Sequence, residues 1–142
     1  MPDHIRVMFV CTGNSARSQM AEGFARQFGQ GRIEAYSAGM EPSRLNPFAV
    51  AAMQEKGIDI SHQRSKAFEE NLARRMDIVV TVCGNADARC PVLPPEVKKH
   101  HWPIEDPASA KGTRDEILAT FCKVRDEIEA HVRELLRGPG SP

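Results

Sequence analysis

The chain reads as an α/β protein, a four-stranded parallel sheet flanked by helices on both faces. Three observations predict it. Short apolar runs alternate with helical stretches along the chain, and Ile78-Val79-Val80-Thr81-Val82 is β-branched throughout, as a strand covered on both sides tends to be. Residues 113–137 also carry apolar side chains at helical spacing. With 142 residues and neither an internal repeat nor a composition break, residues 1–142 are expected to form a single domain.

Each element follows from local chemistry. Ile5 to Val10 is a first buried strand, and Ser18 to Ala25 an amphipathic helix. Ile33 to Ser37 is a second strand, stopped by Ala38-Gly39. Asn46 caps and Pro47 opens a helix that runs through Met53 and ends at Gly57. Ser65 is expected to cap another helix through Phe68, Leu72 and Met76. Asp77 to Val82 is the central strand. Residues 84–96 hold Gly84, Pro91, Pro94 and Pro95, which predicts an irregular segment. His100 to Ile104 is a last short strand. The long helix from Thr113 to Arg137 aims Ile117, Phe121, Val124, Ile128, Val132 and Leu135 at the core, with Cys122 packed among them. The tail, residues 138–142, is expected to be disordered.

Composition excludes several functions. Nineteen basic and nineteen acidic side chains cancel, which argues against a nucleic-acid or membrane-surface partner. No apolar run approaches the roughly twenty residues of a membrane span. Met1-Pro2-Asp3-His4 lacks the basic and apolar regions of a signal peptide, so a cytoplasmic location is expected. Thiols are kept reduced there, and four cysteines point to catalysis or metal binding before a structural disulfide.

The richest chemistry lies in Val10-Cys11-Thr12-Gly13-Asn14-Ser15-Ala16-Arg17-Ser18. A loop between a strand end and a helix start gathers backbone N–H groups and the positive helix end at one spot, which favours an anion. A cysteine there has its thiolate stabilised and becomes a nucleophile. The Arg17 guanidinium can hold two oxygens of a tetrahedral oxyanion. The bland alternative is a buried cysteine beside a surface arginine. Gly13 and Asn14, which permit an unusual backbone, and the hydroxyls of Ser15 and Ser18 favour the functional reading.

Two further clues lie downstream. Cys83 closes the central strand, at the sheet edge where parallel α/β proteins gather ligands, and Cys90 follows seven positions later. On a helix, that spacing would hold the Cα atoms about 10 Å apart. A disulfide needs roughly 7 Å or less, so the segment would have to fold back or unwind. Two small buried hydrophobes would explain the pair equally simply. Zinc held with His100 and His101 would need a spacing that matches no common ligand pattern, so no metal or cofactor is expected. Asp106-Pro107 offers a carboxylic acid on a late loop, able to protonate a leaving oxygen, although Asp-Pro is also a common turn.

Together these residues carry a family resemblance that covers nearly the whole chain. The Cys11-x5-Arg17-Ser18 loop and Asp106-Pro107 resemble the low-molecular-weight protein tyrosine phosphatases. The run from Cys11 to Gly23, with Tyr36-Ser37-Ala38-Gly39, Val79-Val80-Thr81-Val82-Cys83, Cys90-Pro91-Val92-Leu93-Pro94-Pro95 and His101-Trp102, resembles the thioredoxin-coupled arsenate reductases more closely. Phosphatases of this fold usually place a tyrosine after Asp-Pro, whereas this chain has Ala108.

The resemblance implies a relay of three thiols. Thr12, Gly13, Asn14, Ser15, Ala16, Arg17 and Ser18 would bind arsenate, with Asn14 and Ser18 also shaping the loop and donating hydrogen bonds to the Cys11 thiolate; Cys11 would attack arsenic, and Asp106 would protonate the departing hydroxyl. Oxidation would then pass to Cys83 and on to Cys90, and thioredoxin or a glutaredoxin-type donor would reduce the final disulfide. Some relatives hold a potassium ion using positions matched here by Asn14, Glu22 and Ser37, but the later positions are Arg64 and Lys66, so no bound potassium is expected; the Lys66 ammonium either fills the ion's role near Glu22 and Asn14 or belongs to a solvated basic face. Phosphomonoester hydrolysis is the alternative activity. An oxyanion or arsenic sensor is a third, which would normally bring a DNA-binding helix pair and a basic surface. Balanced charge and no evident apolar patch suggest a monomer.

Overall fold

A computed structural model describes residues 4–137; the tail expected to be disordered lies outside them. Four strands, β1 (Ile5–Cys11), β2 (Ile33–Gly39), β3 (Ile78–Thr81) and β4 (Lys98–His101), form one parallel sheet in the order β2-β1-β3-β4. β3 and all but one residue of β1 are buried, which explains their β-branched and apolar content, while every residue of β4 is exposed.

The helices are α1 (Arg17–Gly29), α2 (Pro47–Gln54), α3 (Glu70–Ala73), α4 (Gly84–Arg89) and α5 (Arg114–Arg137), with a 3-10 turn at Pro107–Ser109. α1, α2 and α5 pack on one another. Phe24, Phe121, Met20, Met53, Ile60 and Ile128 fill the space among these elements, none more than 1% exposed. Asn46 caps α2 through Phe48 N–H, as the sequence predicts. Thr113 and Glu116 exchange hydrogen bonds at the start of α5, a reciprocal cap.

Four expectations need correction. The helix from Ser65 to Met76 shrinks to the single turn of α3. Residues 66–68 instead run extended against the end of β2, with Gly39 N–H donating to Lys66 O (2.8 Å) and Phe68 N–H to Gly39 O (2.9 Å). The irregular stretch 84–96 begins with α4, because Cys83 accepts from Ala86 N–H as a cap. The last strand starts earlier than His100, and Pro103, without an N–H, limits its far end. Cys122 sits at the edge of the core rather than in it, donating to Glu55 (3.3 Å); burial and that carboxylate push its thiol up.

The sheet order puts β1 between strands that leave in opposite directions, β2 on one side and β3 on the other. A crevice forms at the carboxyl ends where such connections diverge. Cys11 ends β1 and Cys83 follows β3 by two residues, each one position beyond the bond from Val82 N–H to Val10 O (2.9 Å).

Candidate active site

The loop from Cys11 to Arg17 is shaped by what its carbonyls do. Met40, Glu41, Ser43 and Asn46 donate their N–H groups to the carbonyls of Cys11, Thr12, Gly13 and Ser15 at 2.8–3.1 Å. Ser65 Oγ adds a bond to Gly13 O (2.9 Å), and Gln19 Nε2 takes Asn14 O (3.0 Å). With the carbonyls turned outward, the amides of Gly13, Ser15 and Ala16 donate to no acceptor among the described residues. Ala16 gives α1 no side-chain cap, and the first turn holds no acidic residue. An anion meets only donors there. Asn14 adopts φ 48°, a left-handed conformation that Asn tolerates, and Gly39 makes room behind the loop. A Cβ on Gly39 would lie 2.6 Å from Thr12 O and 2.7 Å from Asn14 N.

The loop encloses a cavity of about 230 Å³ lined by Cys11, Thr12, Gly13, Ser15, Ala16, Arg17, Ser43 and Asp106. A larger cavity of about 470 Å³ lies between β4 and α5, but Trp102, His131 and Lys98 line it and no thiol does. Arg17 is anchored by Ile104 O (2.9 Å), and its second nitrogen lies 3.8 Å from Asp106 Oδ2. The other Asp106 oxygen caps the 3-10 turn through Ala108 N–H (2.9 Å). Asp106 thus stands on the cavity rim with one oxygen fixed and one facing the guanidinium.

Asn14 and Ser18 do not line the cavity; both are buried beneath it. Their work is on the thiol. Asn14 N–H donates to Cys11 Sγ (3.2 Å), and Ser18 Oγ lies 2.8 Å from the same sulfur. Asn14 Nδ2 donates to Ser18 Oγ (2.8 Å), leaving the hydroxyl proton free for sulfur. Behind Asn14 runs a chain of amides. Arg26 donates to Gln63 Oε1 (3.1 Å), Gln63 Nε2 to Gln19 Oε1 (2.7 Å), and Gln19 Nε2 to Asn14 Oδ1 (3.1 Å). Every link donates toward Asn14, so the line of amides fixes the groups that bond the Cys11 sulfur.

Glu22 sits at the base of this assembly, buried and bonded by Ser37, Arg26 and, at 3.6 Å, Lys66 Nζ. The Lys66 ammonium also lies on Arg64 O, whereas Asn14 Oδ1 takes the Lys66 backbone N–H (2.7 Å). Among the described residues no three His, Cys, Asp or Glu side chains gather as a metal would require.

Cys83 is buried and Cys90 partly exposed, at opposite ends of α4. Thr12 Oγ1 accepts from Asn85 Nδ2 (2.9 Å) and so can donate to Cys83 Sγ (3.3 Å), tying the second thiol to the oxyanion loop. Burial pushes the Cys90 thiol up, with Lys99 opposing and Asp87 and Glu70 adding to the rise. Gln19, Gln63, Ser43 and Ser65 also shape the site, and none was foreseen from the sequence. Only Gln19 left a legible signal, a polar side chain on the α1 face that Met20 and Glu22 also bury.

A cavity this small, ringed by amides and backed by a thiol, defines a class: cysteine-dependent enzymes acting on tetrahedral oxyanions. Residues 6–138 match the low molecular weight phosphotyrosine protein phosphatase family. An arsenate reductase of Bacillus subtilis is 51% identical over 128 residues, 90% of this chain and 92% of that one. An arsenate reductase solved in a phosphate binding state superposes with a TM-score of 0.76 at 40% identity, covering 94% of this chain and 97% of the other. A thioredoxin-dependent arsenate reductase of Corynebacterium glutamicum gives 0.76 at 25% identity, covering 94% of this chain and 60% of that one. The chain belongs to the low molecular weight phosphotyrosine protein phosphatase family, and within it to the arsenate reductases.

Two substitutions test this geometry. Gly39→Ala should force the loop backbone to shift and abolish protection of Cys11 by inorganic phosphate against iodoacetamide. Unchanged protection would mean that the loop tolerates the methyl group. Gln19→Leu should slow Cys11 alkylation about tenfold, because Asn14, which bonds the sulfur, loses its anchor and a broken buried hydrogen bond is worth about 1–2 kcal/mol. An unaltered rate would disconnect the amide chain from the sulfur.

Proposed function

We propose that this enzyme reduces arsenate to arsenite by passing oxidation along three thiols, and that thioredoxin or a glutaredoxin-type donor resets it. The observation that carries the reading is the second thiol. Cys83 hydrogen-bonds to Thr12 of the oxyanion loop from the neighbouring strand end, with Cys90 closing the same short helix. Phosphate ester hydrolysis has no use for either.

Arsenate settles first on the loop amides and Arg17. Cys11 thiolate attacks arsenic while Asp106 gives a proton to the departing hydroxyl, which leaves as water. Cys83 thiolate attacks Cys11 Sγ; the sulfur–arsenic bond breaks toward arsenic, which leaves as arsenite carrying two electrons. Cys90 then attacks Cys83, the new disulfide joins 83 to 90, and Cys11 departs as thiolate. A dithiol protein donor reduces the 83–90 bond and takes its place as the disulfide. No cofactor takes part.

Around this core stand three further parts of the reading. The protein acts as a monomer in the cytoplasm, where such donors keep thiols reduced. Lys66 supplies the positive charge at Glu22, so potassium is not required. Weak phosphatase activity persists because phosphate and arsenate share shape and charge, although Ala108 offers no aromatic ring to a tyrosyl substrate.

The deciding assay couples arsenate to thioredoxin, its reductase and NADPH. Cys90→Ser should release about one equivalent of arsenite and then stop with 11 joined to 83, while phosphatase activity stays at the parent level. Continued turnover would refute the relay. Replacing sodium by potassium at equal ionic strength should change the parent rate by less than twofold. A several-fold activation would show that Lys66 does not replace the ion.

A further inference from the structure

The unsettled step in that relay is mechanical. Cys83 and Cys90 cap opposite ends of α4, so their Cα atoms stand about 10 Å apart, beyond the roughly 7 Å a disulfide allows. The helix must unwind for the bond to close. As Cys90 is drawn toward Cys83, residues 84–89 become a loop closed at its base, and the midpoint of such a loop travels farthest from the sheet. Asp87 stands at that midpoint.

In the reduced protein Asp87 is held by three groups from two strands. Thr81 Oγ1 donates to Asp87 Oδ1 (3.1 Å), Lys99 Nζ lies 3.1 Å from the same oxygen, and His101 Nδ1 lies 3.9 Å away while bonded to Thr81 (2.9 Å). These contacts hold the carboxyl below the usual carboxylate range, with Lys99 the largest cause. Apart from Ala86, which is buried in the core, the other attachments of α4 are thinner. Asn85 makes one bond to Thr12, and Arg89 pairs with Glu41 between two well-exposed side chains.

We propose that Asp87 is a positioning residue: clasped by Thr81, Lys99 and His101, it keeps α4 wound while Cys83 and Cys90 are thiols, and its release is the conformational step that lets the 83–90 disulfide form. This rests on the relay described above. Contacts made only in the reduced state stabilise that state, so the clasp makes the disulfide a stronger oxidant and easier for the donor to reduce. Release has a second effect. Lys99, no longer paired with Asp87, is free to face the Cys90 thiolate, whose formation its charge already favours.

The test is a redox titration in a Cys11→Ser background, where Cys83 has no other partner in the site. Thiol and disulfide forms are equilibrated in glutathione buffers, and the 83–90 linkage is quantified by peptide mapping. Electrons balance simply: two thiols lose two electrons and two protons to glutathione disulfide. Asp87→Ala should favour the disulfide about tenfold, equivalent to about 30 mV toward more negative potential. Asp87→Asn, which keeps an acceptor for Thr81, should shift it less. Lys99→Met should shift it in the same direction and add little to Asp87→Ala. Glu34→Ala, which breaks the Arg6 pair at the opposite end of the sheet, should leave it unchanged. Parent-like potentials in Asp87→Ala would overturn the clasp alone. No 83–90 linkage in the protein with native Asp87 would overturn the relay and the clasp with it.

Discussion

The site depends on one constraint, the outward rotation of the carbonyl groups of residues 11–15. A backbone loop carries as many acceptors as donors, and an anion is welcomed only if the acceptors are engaged elsewhere. Here the 40–46 segment and Gln19 take them all. That arrangement also accounts for the glycine at position 39, because the segment must leave β2 in contact with the loop it ties down. The shape of the cavity is thus set largely by residues that do not line it, Met40, Glu41, Asn46 and Gln19 among them.

The same economy governs the thiols. Cys11 collects donors through Asn14, Ser18 and the buried glutamines, Cys83 receives a helix-cap N–H and faces the Thr12 hydroxyl, and Cys90 is pushed up by burial against the opposing charge of Lys99. Three chemically identical side chains acquire three environments from their positions at a strand end, a helix start and a helix end. Order in a thiol relay requires such differences, since identical sulfurs would exchange without direction.

Much of this is legible in the sequence alone. β1, β3 and α5 declare themselves because buried parallel strands and long amphipathic helices have strong periodicities, and the Cys11–Arg17 loop because its chemistry is local in sequence. The segment 64–76 misleads because Ser65 looks like a helix cap, yet tertiary bonds to Gly13 and Asn14 claim its hydroxyl and the next N–H. Gln63 could not be foreseen, since its partners Gln19 and Arg26 stand 44 and 37 positions away and nothing local marks the pairing. Asn14 and Ser18, expected from the resemblance to bond the Cys11 thiol, lie 3.2 and 2.8 Å from its sulfur.

The exposed strand β4 carries a consequence for colloidal behaviour. A parallel sheet that ends in an uncovered strand offers a free row of peptide groups to any second sheet that approaches. Lys98 and Lys99 place ammonium groups on that border, although Lys99 is paired with Asp87, so two molecules meeting flank to flank bring like charges together. Charge on an edge strand thereby discourages edge-to-edge pairing.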